Sequence, residues 1–213
     1  MTFRWMAALA AALLITLLAG CGGGTDRTKA QVRLVNASTG YASLELRVDD
    51  ESRQSGVAYG NSASYVEAKP GKVFTVYSPS AATSLLSFTP SVSADRHYTV
   101  LAYGRAGALK QVVLDENSNL PDTNRSYVRI VNAAPAAGSL DVYVTGASDT
   151  LDASVAVLSS SAVDSVSGYI TINSGTWRVR ATVPGSTLAA DVRLDVSGVS
   201  FGSKEVVTLV LVD

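Results

Sequence analysis

Residues able to do chemistry are sparse in this chain, and each has a plainer role to be weighed against it. Gly198-Val199-Ser200-Phe201-Gly202 has the spacing of a serine-nucleophile motif. That motif needs a sharp strand-to-helix turn and a histidine later in the chain to take the serine proton. The only histidine, His97, lies upstream and no helical pattern follows, so the stretch reads as a glycine-rich β-turn. His97 has no second histidine beside it and no nearby cysteine, whereas zinc takes three or four such ligands. It reads as an ordinary strand-end residue. Asp115, Glu116, Asn117, Asn119 and Asp122 gather the carboxylate and amide oxygens that calcium favours, although their spacing matches no EF-hand loop and a solvated acidic linker has the same composition. Tyr143 and Trp177 are the candidate stacking surfaces for a ligand. Trp177 qualifies only if it faces outward beside Arg178 and Arg180 rather than inward with Val179. No set of residues suggests catalysis, so the expectation is a protein that is not an enzyme and uses no cofactor.

The elements that must position these residues are strands, and the chain builds them twice. Gln31-Val32-Arg33-Leu34-Val35-Asn36-Ala37 returns as Tyr127-Val128-Arg129-Ile130-Val131-Asn132-Ala133. In the same register, Ser43-Leu44-Glu45-Leu46-Arg47-Val48 returns as Ser139-Leu140-Asp141-Val142-Tyr143-Val144. A third echo joins Tyr65 and Pro70-Gly71-Lys72-Val73 to Tyr169 and Ser174-Gly175-Thr176-Trp177. A fourth joins Tyr98-Thr99-Val100-Leu101 to Val207-Thr208-Leu209-Val210. The spacing widens after the second echo, which places extra residues within the Ser- and Ala-rich stretch Thr150–Ser167. Asn36 and Asn132 follow the same strand in both copies. A short amide side chain there is expected to bond neighbouring backbone groups and shape the bend.

Strict alternation in Leu44-Glu45-Leu46-Arg47-Val48 argues a half-buried strand, and its counterpart would turn Asp141 and Tyr143 to solvent. Turn residues recur roughly every 8–12 positions, at Asp49-Asp50, Gly60-Asn61, Pro70-Gly71, Ser78-Pro79, Asp95-Arg96 and Gly104 to Gly107. Short strands at that spacing suggest an all-β protein of sandwiches or barrels. The expected fold is all-β: two tandem Ig-like antiparallel β-sandwich domains, 31–116 and 127–213, joined by a linker at 117–126. The second copy reaches Asp213 without the glycine turn and return strand of the first. An open sheet edge is therefore expected, covered either by the first domain or by a partner.

Residues 1–20 read as a targeting segment. One positive charge, Arg4, precedes an apolar run from Met6 to Ala19 that is shorter than the ~20 residues of a spanning helix. The run ends in Leu18-Ala19-Gly20-Cys21, which resembles the lipobox of bacterial lipoproteins. The resemblance implies cleavage before Cys21, diacylation of its thiol and acylation of the new amino terminus. Cys21 is the only cysteine, so no disulfide can form within the chain. Several acyl chains, at ~0.8 kcal/mol per buried methylene, hold a protein durably to a membrane. Residues 21–30, small and polar, read as a flexible tether. Gly22 rather than an acidic residue stands directly after Cys21, so the lipoprotein resemblance implies the outer membrane, facing periplasm or cell surface. A formal net charge of −1 carries no clustered basic face of the kind that binds nucleic acid.

The repeated unit, with its Val-Arg-(Leu/Ile)-Val-Asn-Ala opening and second strand Leu-(Glu/Asp)-x-x-Val, resembles the bacterial domain-of-unknown-function 4397 family. The resemblance implies Ig-like sandwich repeats in lipoproteins or secreted proteins, and no catalytic residues. The functional expectation is a lipid-anchored envelope protein acting as a structural or protein-interaction module. Its partners would be the membrane, through the anchor, and an envelope protein or a glycan.

Overall fold

The computed structural model describes residues 26–116 and 118–213. Strands alternate with tight turns, and among these residues the helical part is one 3-10 turn, Ala189–Asp191. The first unit contains β1 (Ala30–Ser38), β2 (Ser43–Val48), β3 (Glu51–Ala58) and β4 (Val66–Ala68), then β5 (Phe74–Ser78), β6 (Thr83–Phe88), β7 (His97–Arg105) and β8 (Ala108–Asp115). The second contains β9 (Arg125–Ala133), β10 (Leu140–Thr145), β11 (Leu158–Ser161) and β12 (Ile170–Asn173), then β13 (Gly175–Thr182), β14 (Val192–Phe201) and β15 (Glu205–Val212).

Each unit is a sandwich of two sheets. The first has orders β4-β1-β7-β8 and β3-β2-β5-β6; the second has β12-β9-β15 and β11-β10-β13-β14. Strand for strand the second order repeats the first, with no described counterpart of β8. One ladder in each sandwich departs from the antiparallel expectation: β1 runs parallel to β7, and β9 parallel to β15. A parallel pair needs a crossover connection. Here the intervening strands of the opposite sheet provide it, which brings the late strand back alongside the first in the same direction.

The two cores follow from the alternation. Leu34, Leu44, Leu46, Phe74, Val76 and Val100 fill the first. Ile130, Leu140, Val142, Val179, Ala181 and Phe201 fill the second. The outer face of β10 does not meet solvent as its pattern suggests, because Asp141 is 6% and Tyr143 5% exposed. Chain segments fold over that face: Asp141 accepts hydrogen bonds from the Ser160 N–H at 2.6 Å and the Gly185 N–H at 2.8 Å. Tyr143 pairs across the ladder with Arg180, itself buried and bonded to the Asp149 carbonyl at 2.9 Å. Alternation assigns side chains to faces; it says nothing of which loops cover them.

A third apolar cluster lies between the units, where the outer faces of their β1- and β9-containing sheets meet. Ala37, Leu101, Tyr103 and Leu114 of the first unit pack with Val131 and Ala133 of the second, flanked by Val35, Val112, Val210 and Val212. Each fully buried side chain of this size contributes about 1.5–3 kcal/mol, so a layer of them holds the sandwiches together far better than its rim of ion pairs. Those pairs, Arg105 with Asp213 at 3.0 Å and Lys110 with Asp164 at 2.5 Å, have largely exposed cations and are worth little individually.

Candidate interaction surface

The arginine of the repeated motif stands on the outer face of its sheet. In the first unit Arg33 lies opposite Thr99 in the parallel ladder. Its Nε donates to Thr99 Oγ1 at 2.9 Å, and its guanidinium sits 4.9 Å from the centre of the Tyr65 ring. The second unit repeats this. Arg129 lies opposite Thr208, donates to Thr208 Oγ1 from Nε and Nη2 at 3.2 and 2.9 Å, and sits 5.0 Å from the Tyr169 ring. Three separate echoes of the sequence thus converge on one constellation, Arg–Tyr–Thr. The sequence displayed all three members twice without revealing that they meet, because only the ladder register brings them together.

The two constellations differ in cover. The end of β8 reaches across the interface and caps Arg129: Nη1 donates to the Asp115 carbonyl and Nη2 to Glu116 Oε2, both at 2.9 Å. The paired side chains are 6% and 13% exposed. Burial pushes the Tyr169 hydroxyl above its ordinary pKa, with the Arg129 charge opposing. Arg33 is half-buried, and among the described residues no carboxylate or carbonyl caps its Nη atoms.

The strands beside them differ in the same way. β7 has β1 on one edge and β8 on the other, and Tyr98 to Tyr103 are all buried. β15 has β9 as its one ladder partner among the described strands, and Val207 to Val210 are only half-buried. The first unit covers the face of β15, through Leu101 and Tyr103 against Val210 and Val212, and leaves its edge without a ladder. β8 cannot supply that ladder because its hairpin to β7 holds it in its own sheet, over β9. The run Val206-Val207-Thr208-Leu209-Val210-Leu211-Val212 carries no charge, whereas proteins commonly block such edges with lysine, proline or a bulge.

The other residues singled out by the sequence do not gather into a site. Cys21 and Asn117 lie outside the described residues. Asp115 accepts a bond from Arg96 at 2.7 Å and Glu116 holds Arg129, while Asn119 and Asp122 are exposed. Glu116 is therefore part of the docking contact, and among the described residues no three His, Cys, Asp or Glu side chains form a group able to hold a metal ion. Trp177 packs inward against the second core and donates Nε1–H to the Asn173 carbonyl at 2.9 Å. Gly198 to Phe201 is not a turn but the end of β14. Gly198, at φ +76°, forms a bulge there that shifts the register against β13. Such a left-handed residue is what glycine supplies in bulges. His97 meets the Tyr65 ring edge-on at 5.0 Å. Asn36 and Asn132 are wholly buried. Each accepts from the N–H two residues on and donates to a carbonyl of the bend (Tyr41 or Gly138), as expected, and also donates to a distant strand, at the Val57 carbonyl of β3 or the Ser161 carbonyl of β11.

The family model of a domain of unknown function, DUF4397, matches residues 30–143. The chain belongs to this family. The DUF4397 match begins at the first residue of β1, takes in the whole first sandwich and continues through β9 into β10. It therefore includes both motif arginines and the β8 end that caps one of them. Among curated proteins nothing matches the chain.

Proposed function

We propose that this chain is a lipid-anchored protein of the bacterial envelope, carrying two tandem DUF4397 units and acting without catalysis as a protein-interaction module. In this reading Cys21 is the acylated residue, residues 21–30 are the tether, and the outer membrane holds the anchor. The partner adds an extended strand to the sheet edge at β15. The observation that carries the proposal is that edge: seven uncharged residues, Val206 to Val212, mostly half-buried and paired on one side only among the described strands, whereas the edge strand β14 carries Arg193, Asp195 and a bulge. Strand addition draws affinity from main-chain hydrogen bonds and specificity from alternate side-chain pockets. The engagement of carboxylates by arginines, as in Asp195 with Arg178 and Glu116 with Arg129, supports a structural role for the polar groups.

The test uses the full chain in its own membranes. Palmitate labelling should be lost, and the protein released from the membrane fraction, when Cys21→Ser is introduced. A photo-crosslinking residue at Glu205, beside the edge, should give a discrete protein adduct, and one at Arg193 on β14 should not. Equal adducts at both positions, or none, would overturn the strand-addition reading. Retained labelling in the Cys21 variant would overturn the anchor.

A further inference from the structure

The docked units meet through equivalent residues. Val35, Ala37, Leu101 and Tyr103 on one side correspond by ladder register to Val131, Ala133, Val210 and Val212 on the other. A contact built from the same patch on both sides is isologous and has two-fold symmetry, here approximate because the two sequences differ. Each element on one side therefore marks a place on the other. β8 breaks the correspondence. It runs antiparallel beside β7, puts Val112 and Leu114 into the interface, and ends with Asp115 and Glu116 on Arg129 of β9. The approximate axis carries that path to a line beside β15, over the outer face of β1, ending at Arg33. No described strand pairs with β15 there, and the side chains that such a strand would cover, Val207 to Val210, Val35 and Arg33, are all half-buried.

We infer that the free edge of β15 and the outer face of β1 form a seat for one extended segment of a protein partner, antiparallel to β15 and acidic at its carboxyl end. The inference rests on the strand-addition reading above and gives the partner its chemistry. The template is β8 itself. Leu109 and Val113 pack on the first core, Val112 and Leu114 enter the docking layer, and the two acids follow. A partner segment would alternate in the same way. One set of apolar side chains would lie toward the second core beside Val207 and Leu209, the other toward Val35. A carboxylate would close on the Arg33 guanidinium, which Tyr65 and Thr99 already hold in place. The charge complementarity is specific: Arg33 presents donors on a pre-oriented guanidinium, as Arg129 does to Glu116.

The probe is a synthetic peptide of residues Ala108–Glu116, titrated into the purified full chain. Saturable binding is expected. Arg33→Ala should weaken it by at least about tenfold, and so should the peptide carrying Asp115→Asn and Glu116→Gln, since a bond to a charged group is lost in each. A chain extended after Asp213 by a glycine hairpin and the same segment should bind no peptide, its seat being filled in cis. Absent binding overturns the seat, as does equal binding to Arg33→Ala or to the extended chain. A β15-mediated dimer that the peptide does not dissociate assigns the edge to a second copy and also overturns it. A Glu205 adduct in membranes without peptide binding would leave strand addition standing while removing this seat. Peptide binding without an adduct would leave the seat standing and remove the envelope partner placed on it.

Discussion

Glu116 and Arg129 form a 2.9 Å ion pair across the two sandwiches, with side chains 13% and 6% exposed. The pair ties the linker that follows β8 to the first strand of the second unit, and the Tyr169 ring forms the floor beneath the guanidinium. Removing one partner of a buried pair leaves an uncompensated charge, which costs about 3–5 kcal/mol when burial is complete. Arg129 keeps Thr208 and the Asp115 carbonyl as acceptors, so Glu116→Gln should cost less, about 1–3 kcal/mol. Arg33→Ala, at the half-buried equivalent without a cap, should stay below about 1 kcal/mol. Denaturant midpoints of the two variants check this, and equal losses would remove the distinction drawn between the two arginines.

Tyr103 is the titratable side chain of the docking cluster. Burial, reinforced by the neighbouring Asp164 carboxylate, pushes its hydroxyl up to about 12. An ordinary tyrosine ionises near pH ~10. Between those values the unfolded chain gives up a proton that the folded chain retains. The contribution of Tyr103 is therefore complete below about pH 10 and falls as pH rises toward 12. Chemical denaturation across pH 9–12 should show a steeper loss for the wild type than for Tyr103→Phe. Parallel curves would mean that Tyr103 is not buried in the interface.

Asn36 and Asn132 each satisfy three backbone groups, two at the bend after the first strand of their unit and one on β3 or β11. Alanine leaves those groups buried and unpaired, at about 1–3 kcal/mol for each that water cannot reach. Asn36→Ala and Asn132→Ala should therefore be similarly destabilising, each accelerating hydrogen exchange first in its own unit. Loss confined to one unit for both variants would refute independent bends.

Several of these features were legible in the order of residues. The motif Val-Arg-x-Val-Asn-Ala names its strand by alternation and its bend by the asparagine, and both readings hold in each copy. The match of Tyr98-Thr99-Val100-Leu101 with Val207-Thr208-Leu209-Val210 identified equivalent strands across units. Other features were not legible. Asp141 and Tyr143 alternate like solvent-facing residues and are nonetheless buried, with Ser160 of β11, the Gly185 loop and Arg180 of β13 against them, neighbours that no local pattern encodes. Gly198 signals a left-handed backbone, which a turn and a bulge use equally well; the ladder to β13 decides for the bulge. Asp115 and Glu116 look like a solvated acidic linker until Arg96 and Arg129 stand beside them.

The sequence by itself determined the strands, the all-β class and the repetition, because period-two burial, turn residues and capping amides act over a few neighbouring positions. Only the tertiary structure decided that the sandwiches dock through equivalent faces and, among the described residues, that Arg129 is capped while Arg33 is not and that β15 has a ladder partner on one side alone. Those outcomes depend on side chains far apart in the chain, meeting across two sheets whose register and approach are set by the packing of the whole.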